Sequence, residues 1–406
     1  MDTDDGVTAS RYRLFSQRWF WLLVLHAVVS QMVTVLLRIN TSYRALEIQL
    51  DPAWLAIFTV AFSLFPLLFG ITAGRATDHY GERPTLIIGA GAVLLSALGF
   101  LVYGDTVLGL LACNVLLGIG HVCGMLGEQS IASKNGPSGQ RDRIFGYYTV
   151  FVSLGQVLSP MLIGAVSGDA VIPDTWAVFL WTAVIAGLLL AVSIPIRSSP
   201  RPVSTEPAKP AGSILSLFHI PGMTGAILAS VVVLTSTDLL LVYLPALGTE
   251  RHIEAATIGT LLSLRAAASM LSRLSFHGLI LWVGRERLIV GSIALAAVSV
   301  AALPIEMPLW TMGALVLVAG FVLGLSLPLT LAWVSELSPF EVRSTVISLR
   351  LVGNRLGQTI IPTLAGMMVA WVGIAGIFWW AGATLGLVGF TTARTFRKQA
   401  TPAPKP

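Results

Sequence analysis

Charge is scarce in this chain. Asp, Glu, Lys and Arg make up 11% of its 406 residues, while 55% are hydrophobic; soluble globular domains carry roughly a quarter charged residues. A water-soluble fold has no interior large enough to hide so much apolar surface. Polar residues gather in short clusters between long uncharged runs, each about the 20 residues that cross a hydrocarbon core of about 30 Å. Cysteine is almost absent. Cys113 and Cys123 share one apolar run, which excludes a CxxC site and a disulfide framework and leaves them packing roles. No Ser/His/Asp set, HExxH or lysine-bearing Gly-rich phosphate loop occurs. The chain therefore reads as no enzyme, needs no cofactor or metal, and cannot drive work by ATP hydrolysis on its own. The net charge of +5 is spread singly or in pairs at the ends of apolar runs, so it marks topology and excludes nucleic acid as a partner. Arg11, Arg13 and Arg18 precede the first run as in a signal peptide, but the run is too long and no small-residue cleavage site follows, so it reads as a retained helix.

What is present is a series of twelve predicted transmembrane helices, near 19–38, 53–74, 84–103, 106–128, 144–166, 175–196, 222–247, 256–277, 287–304, 309–335, 344–369 and 373–393. Twelve spans put both termini on one side. Of the 25 Lys and Arg, the alternating segments that include the termini hold 18, and the opposite set holds Arg38, Arg44 and Arg251. That asymmetry predicts cytoplasmic termini and a multi-pass protein of the bacterial inner membrane. The Pro- and Ser-rich stretch at 197–221 reads as a cytoplasmic linker between an N-terminal bundle (1–196) and a C-terminal bundle with a short tail (222–406).

The two halves repeat each other. Leu154-Gly155-Gln156 with Pro160, Leu162 and Gly164 returns as Leu356-Gly357-Gln358 with Pro362, Leu364 and Gly366, a constant offset of 202. Gly118 falls on Gly320 by the same shift, and Gly81 on Gly284 with one residue of slippage. The fifth and eleventh spans are therefore equivalent elements of a duplicated unit.

Between the second and third spans stands Gly74-Arg-Ala-Thr-Asp78-His-Tyr-Gly81-Glu-Arg83. This loop resembles the signature loop of the major facilitator superfamily, G-x-x-x-D-[RK]-x-G-[RK]-[RK], at Gly74, Asp78, Gly81 and Arg83, and departs from it at His79 and Glu82. A carboxylate placed there can receive backbone N–H groups at the positive start of a neighbouring helix and latch two bundles. The equivalent loop of the second half has Leu281 in place of the carboxylate. In the fifth span Gly155, Pro160 and Gly164 resemble the family's exporter pattern G-x-x-x-G-P-x-x-G-G, with Ser159 and Ile163 replacing glycines. The family's arginine in the fourth span, associated with proton coupling, falls on Asn114. The resemblance implies an all-α fold of two pseudo-symmetric six-helix bundles, transport by alternating access and a monomer in the lipid bilayer, with gating at these glycines, Asp78, Arg83, Pro160 and Pro362.

Ionisable groups at bilayer depth mark candidate function. Asp238 and Arg265 are each nine residues from the turn between the seventh and eighth spans, and Arg355 is twelve residues in from Arg343, so all three reach one layer at about 1.5 Å per residue. With Asp238 ionised the set carries one surplus positive charge, which an anionic substrate would complete; the alternative is a structural ion pair beside a snorkelling arginine. Arg350, Asn354 and Gln358 form a polar stripe at four-residue spacing. On the first span His26, Ser30, Thr34 and Arg38 form another, bordered by Gln31; on the fourth, Asn114, His121 and Glu128 share a face. His26, His121 and Asp238 are the proton-coupling candidates, and Glu128 is expected to pair with Arg141 or Arg143. The sequence thus predicts a secondary transporter of a small organic solute, coupled to protons and with a site for an anion. Its rivals are a multidrug exporter, a non-transporting receptor and a membrane enzyme.

Overall fold

The computed structural model describes residues 14–135, 141–198, 220–338 and 343–400. They form thirteen helices: α1 Arg18–Glu47, α2 Ala53–Tyr80, α3 Glu82–Tyr103, α4 Val107–Lys134, α5 Arg141–Ser167, α6 Thr175–Ser193, α7 Met223–Glu250, α8 Ala255–Leu274, α9 Phe276–Val283, α10 Arg285–Ala302, α11 Leu309–Leu337, α12 Arg343–Val372 and α13 Ile374–Ala400. Ten are long and apolar enough to cross a membrane by length and composition. The remaining two long elements are α10, whose 18 residues open with Arg285, Glu286 and Arg287, and α12, which carries Arg355 beside the Arg350, Asn354 and Gln358 stripe; both pack within the bundle. The short α9 has no buried residue and follows α8 after a single residue.

Local chemistry sets the helix ends. Thr106 caps α4 by accepting from the Gly109 N–H at 3.1 Å, and Asp174 caps α6 through Ala177 at 3.0 Å. Gly81 and Gly284 end their helices at φ +96° and +84°, a left-handed conformation that glycine adopts without a Cβ penalty. The predicted end of the first span at residue 38 is corrected: α1 continues to Glu47. Its polar last turns looked like loop, but they are satisfied where they lie. Asn40 donates to the Thr175 carbonyl at 2.8 Å, and Arg44 pairs with Glu47 and Asp105. Arg38 is thus an interior residue of α1, not part of a loop. The predicted linker lies almost wholly outside the described residues.

The duplication written in the sequence is also written in the packing. A Cβ on Gly155 of α5 would stand 2.4 Å from the Val28 carbonyl of α1, and one on Gly357 of α12 would stand 2.2 Å from Val231 of α7. Gly118 presses on Phe62 in α2, and Gly320 on Arg265 in α8. Small residues let these backbones approach, as membrane helices require when water supplies no driving force. Between the halves the same equivalence appears as a swap: Gly164 of α5 meets Ala256 of α8, while Gly366 of α12 meets Ala56 of α2. α5 lies along α8, α12 along α2, and α1 against α7. The Gly164 and Gly366 contacts lie toward the end of the bundle away from the termini, called here the far end, while α5 and α8 also touch lower down, where Ser263 donates to the Val157 carbonyl at 2.9 Å. At the far end the Ala255 N–H also donates to the Ala170 carbonyl at 2.8 Å.

Candidate functional site: an arginine-lined cavity between the halves

Below that seal, α1, α2, α4, α5, α7, α8, α11 and α12 enclose a cavity of about 370 Å³. Nine of the residues singled out in the sequence line it together: Gln31, Thr34, His121, Asp238, Arg265, Arg350, Asn354, Arg355 and Gln358. The residues expected at one depth from helix rise alone thus share one cavity wall. Its wiring differs from the expected one. Asp238 pairs with neither Arg265 nor Arg355; its Oδ1 accepts from Arg38 Nη1 at 2.7 Å, across the boundary between the halves. Arg38 also lies over the Phe62 ring, 4.7 Å from its centroid. Gln358 donates to the other oxygen of Asp238 and accepts from Arg355 Nη1 at 2.9 Å. A chain of hydrogen bonds thus runs Arg38, Asp238, Gln358, Arg355.

Two further arginines stand beside this chain without a carboxylate partner among the described residues. Arg265 Nε is buried with no hydrogen-bond partner. Arg350 reaches the Leu327 carbonyl and Thr330 Oγ1 at 3.3 and 3.4 Å, and its Nε is likewise unpartnered. The cavity wall therefore holds four guanidiniums and one carboxylate. Two glutamines of the repeat complete it: Gln156 reaches Gln31 on α1 at 3.4 Å, and its equivalent Gln358 reaches Asp238 on α7. Asn354 accepts from Ser230 at 3.0 Å.

The first-half candidates divide. His121 lines the cavity, its ring 5.3 Å from Phe62 and its Nδ1 without a partner. His26 does not. Its Nδ1 meets Glu128 Oε1 at 2.6 Å and its Nε2 meets Ser193 Oγ at 3.1 Å, with the His26 and Glu128 side chains each 1% exposed. Tyr148, whose side chain reaches the cavity wall, donates to the second oxygen of Glu128 at 2.9 Å. The expected pairing of Glu128 with Arg141 or Arg143 is thus corrected. α1, α4, α5 and α6 converge on this carboxylate deep enough that a histidine on the facing helix, not an arginine at the helix start, completes it. Sequence reasoning missed Arg38 as the partner of Asp238, and the network that joins Glu128 to His26 and Tyr148. The signal for Arg38 was its place on the His26–Thr34 stripe, and for Glu128 its register with His121.

The gating candidates lie away from the cavity. Asp78 is largely exposed and faces Lys134 of α4 at 3.3 Å, not the start of a helix in the other half. The buried carboxylate of this loop is Glu82, bonded to Lys134 at 3.0 Å and Ser130 at 2.8 Å. A Cβ on Gly74 would have Leu126 as its neighbour, and the Arg83 backbone N–H donates to Ser198 Oγ at 3.1 Å. Pro160 and Pro362 sit inside α5 and α12. Arg273 of α8 straps the halves by donating to Ser153 of α5 at 2.9 Å. No cluster able to hold a metal ion occurs among the described residues.

Two six-helix units, joined by swapped helix pairs around one polar cavity, match a known sequence profile. The profile of the Major Facilitator Superfamily covers residues 20–305 and again 226–406. The chain belongs to the Major Facilitator Superfamily. Solved structures agree on the fold. A D-xylose–proton symporter superposes with a TM-score of 0.74 at 16% identity, covering 92% of this chain and 96% of its own. A bacterial homolog of the human lysosomal transporter Spinster, inward-facing and occupied, gives 0.72 at 15%, covering 95% and 98%. A POT family transporter in complex with a thioalcohol-conjugated peptide gives 0.71 at 13%, covering 95% and 97%. No curated protein sequence matches the chain significantly. As a member of this superfamily it is a multi-pass membrane transporter, and at these identities the solved relatives speak for the fold alone.

Proposed function

We propose that this protein moves a small organic anion across the bacterial inner membrane by alternating access, with both termini in the cytoplasm. One observation carries the reading: a cavity between the halves holds Arg38, Arg265, Arg350 and Arg355 against the single carboxylate of Asp238. Unpaired guanidiniums away from bulk water cost free energy. An anionic solute offsets that cost, and Arg265 and Arg350 have free nitrogens with which to hold its oxygens. Apolar side chains of Val35, Phe62, Leu234 and Leu327 on the same wall accommodate the carbon skeleton. That mixed wall also favours a second reading, export of amphipathic compounds.

The conformation described is sealed at the far end, so the cavity serves the cytoplasmic side. Among the described residues Asp78 meets none of the second half in this state; its latch forms when the cytoplasmic ends close and α2 meets α12 there. Protons are the coupling ion, with Asp238 in the cavity and His26, backed by Glu128, as their carriers, and His121 on the wall as a further acceptor. The Gly155, Pro160 and Gly164 pattern of α5 supports export in exchange for protons.

Vesicles containing the purified protein test this with matched solutes, each carboxylate beside its neutral amide. Carboxylates are expected to move and to respond to collapse of the pH gradient. Equal movement of acids and amides would remove the anion reading; indifference to the pH gradient would remove the proton.

A further inference from the structure

A second pocket, of about 590 Å³, opens at the end of the first half that carries the termini and lies apart from the transport cavity. Three arginines rim it from different elements: Arg18 at the start of α1, Arg83 in the first turn of α3, and Arg197 just beyond α6. None of the three guanidiniums has an ion-pair or hydrogen-bond partner among the described residues, and no Asp or Glu lines the pocket. The rest of the lining is mainly apolar: Trp19, Leu22, Ile131, Ile194, Pro195 and Ile196. Several of these belong to a small apolar cluster, with Phe20 and Leu86, that stands separate from the main core.

The equivalent position of the second half is neutralised: Arg285, the first residue of α10, is taken by Glu336 of α11. Its counterpart in the first half is Glu82, paired with Lys134, so Arg83 is left without an acidic partner among the described residues. The charges of the neighbouring linker, Arg201, Glu206 and Lys209, sum to a net positive one.

From this combination we infer that the pocket holds the headgroup of an acidic phospholipid. Three cations on one rim attract a phosphodiester, and the apolar floor takes the first part of an acyl chain, which a soluble anion does not have. Trp19 lines the same pocket, and aromatic residues are enriched at membrane interfaces. A basic, apolar-floored pocket between helices at the membrane surface is the form that such lipids fill. The bound lipid would bridge α1, α3 and the segment after α6, and thereby steady the signature loop, which already rests on Ser198.

Native mass spectrometry of the full-length protein in detergent, titrated with phosphatidylglycerol, phosphatidylcholine or inorganic phosphate, tests the assignment. The wild type is expected to keep one phosphatidylglycerol under activation that strips phosphatidylcholine. Each arginine near an anionic headgroup is worth about fivefold, so R18Q/R83Q/R197Q should weaken retention by about a hundredfold. Arg75→Gln, an exposed arginine on α2 outside the pocket, should change nothing. The choice between lipids is read on the wild type itself, so poor folding of the triple variant would leave the test intact, with R197Q alone as the milder variant. Equal retention of the two lipids overturns the proposal, as does undiminished phosphatidylglycerol binding by the folded variants. Displacement by millimolar inorganic phosphate overturns it too, since a simple anion site would then suffice. So does binding that appears only after residues 1–8, with Asp2, Asp4 and Asp5, are removed, because the chain's own N-terminus would then be the occupant.

Discussion

The two halves of this protein share a scaffold and divide the chemistry. Gly155 and Gly357 perform the same close approach on α1 and α7, and Gly118 and Gly320 the same on α2 and α8. Even the ion pair beside the signature loop is kept with its charges exchanged, Glu82–Lys134 in the first half and Arg285–Glu336 in the second. Inside the membrane the likeness ends. The second half brings Arg265, Arg350, Arg355 and Asp238 to the cavity, whereas the first brings Arg38 and seals its other buried charges in the His26–Glu128–Tyr148 network. Duplication fixes backbone geometry, which tolerates little change. Polar positions facing a cavity are free to diverge, and here they place three of the cavity's four guanidiniums on one half and the His26–Glu128 pair on the other.

The largest expected effect breaks the network that only the first half has. Glu128→Gln should destabilise the detergent-solubilised protein by about 3–5 kcal/mol, because a buried pair loses one member. Adding His26→Gln should restore part of that, and thermal unfolding of the single and double variants reads both. A double variant as unstable as the two losses combined would show that the groups are not coupled.

Next come the arginines of the second half. Arg355→Gln or Arg265→Gln is expected to weaken binding of the transported anion roughly 10–100-fold, the worth of a charge-assisted hydrogen bond, while leaving neutral amides unaffected. Isothermal titration with the carboxylates that move in vesicles checks this.

The scaffold comparison is sharpened by Gly155→Ala and Gly357→Ala. Both Cβ atoms would meet a neighbouring helix at under 2.5 Å, so each should lower stability by about 1–3 kcal/mol and by similar amounts. A large effect in one half only would mean that the repeat is not equivalent at this contact.

Asp78→Asn should have the smallest effect on stability. The residue is exposed and its pair with Lys134 is long, so the loss should stay within about 1 kcal/mol. Transport should still fall, because the latch acts in the closed cytoplasmic state. Uptake rate beside melting temperature separates the two.

Much of the fold was legible because membrane helices announce themselves by length and the repeat by constant offset. The polar end of α1 was not, since Asn40 and Arg44 find their partners only when α6 and the loop before α4 arrive. Depth arithmetic put Asp238, Arg265 and Arg355 in one layer correctly, because helical rise is nearly fixed. It could not assign partners, which depend on rotation about the helix axis and on side-chain reach. That is why Arg38, placed at a helix end by its neighbours, took the carboxylate instead. Glu128 was drawn toward the arginines nearest in sequence, whereas packing offered His26 from a hundred residues away.

The central claim is that the surplus positive charge of the cavity is held for a ligand at the expense of the empty protein. Melting temperature and anion affinity measured together on Arg265→Gln and on Arg265→Gln/Arg355→Gln test it most directly. The expected result is opposite signs: the ligand-free variants melt at the same temperature as the wild type or a few degrees higher, and their affinity for the anion falls. Variants that lose stability while binding the anion as well as the wild type would show that these arginines hold the bundle together and that the substrate sits elsewhere.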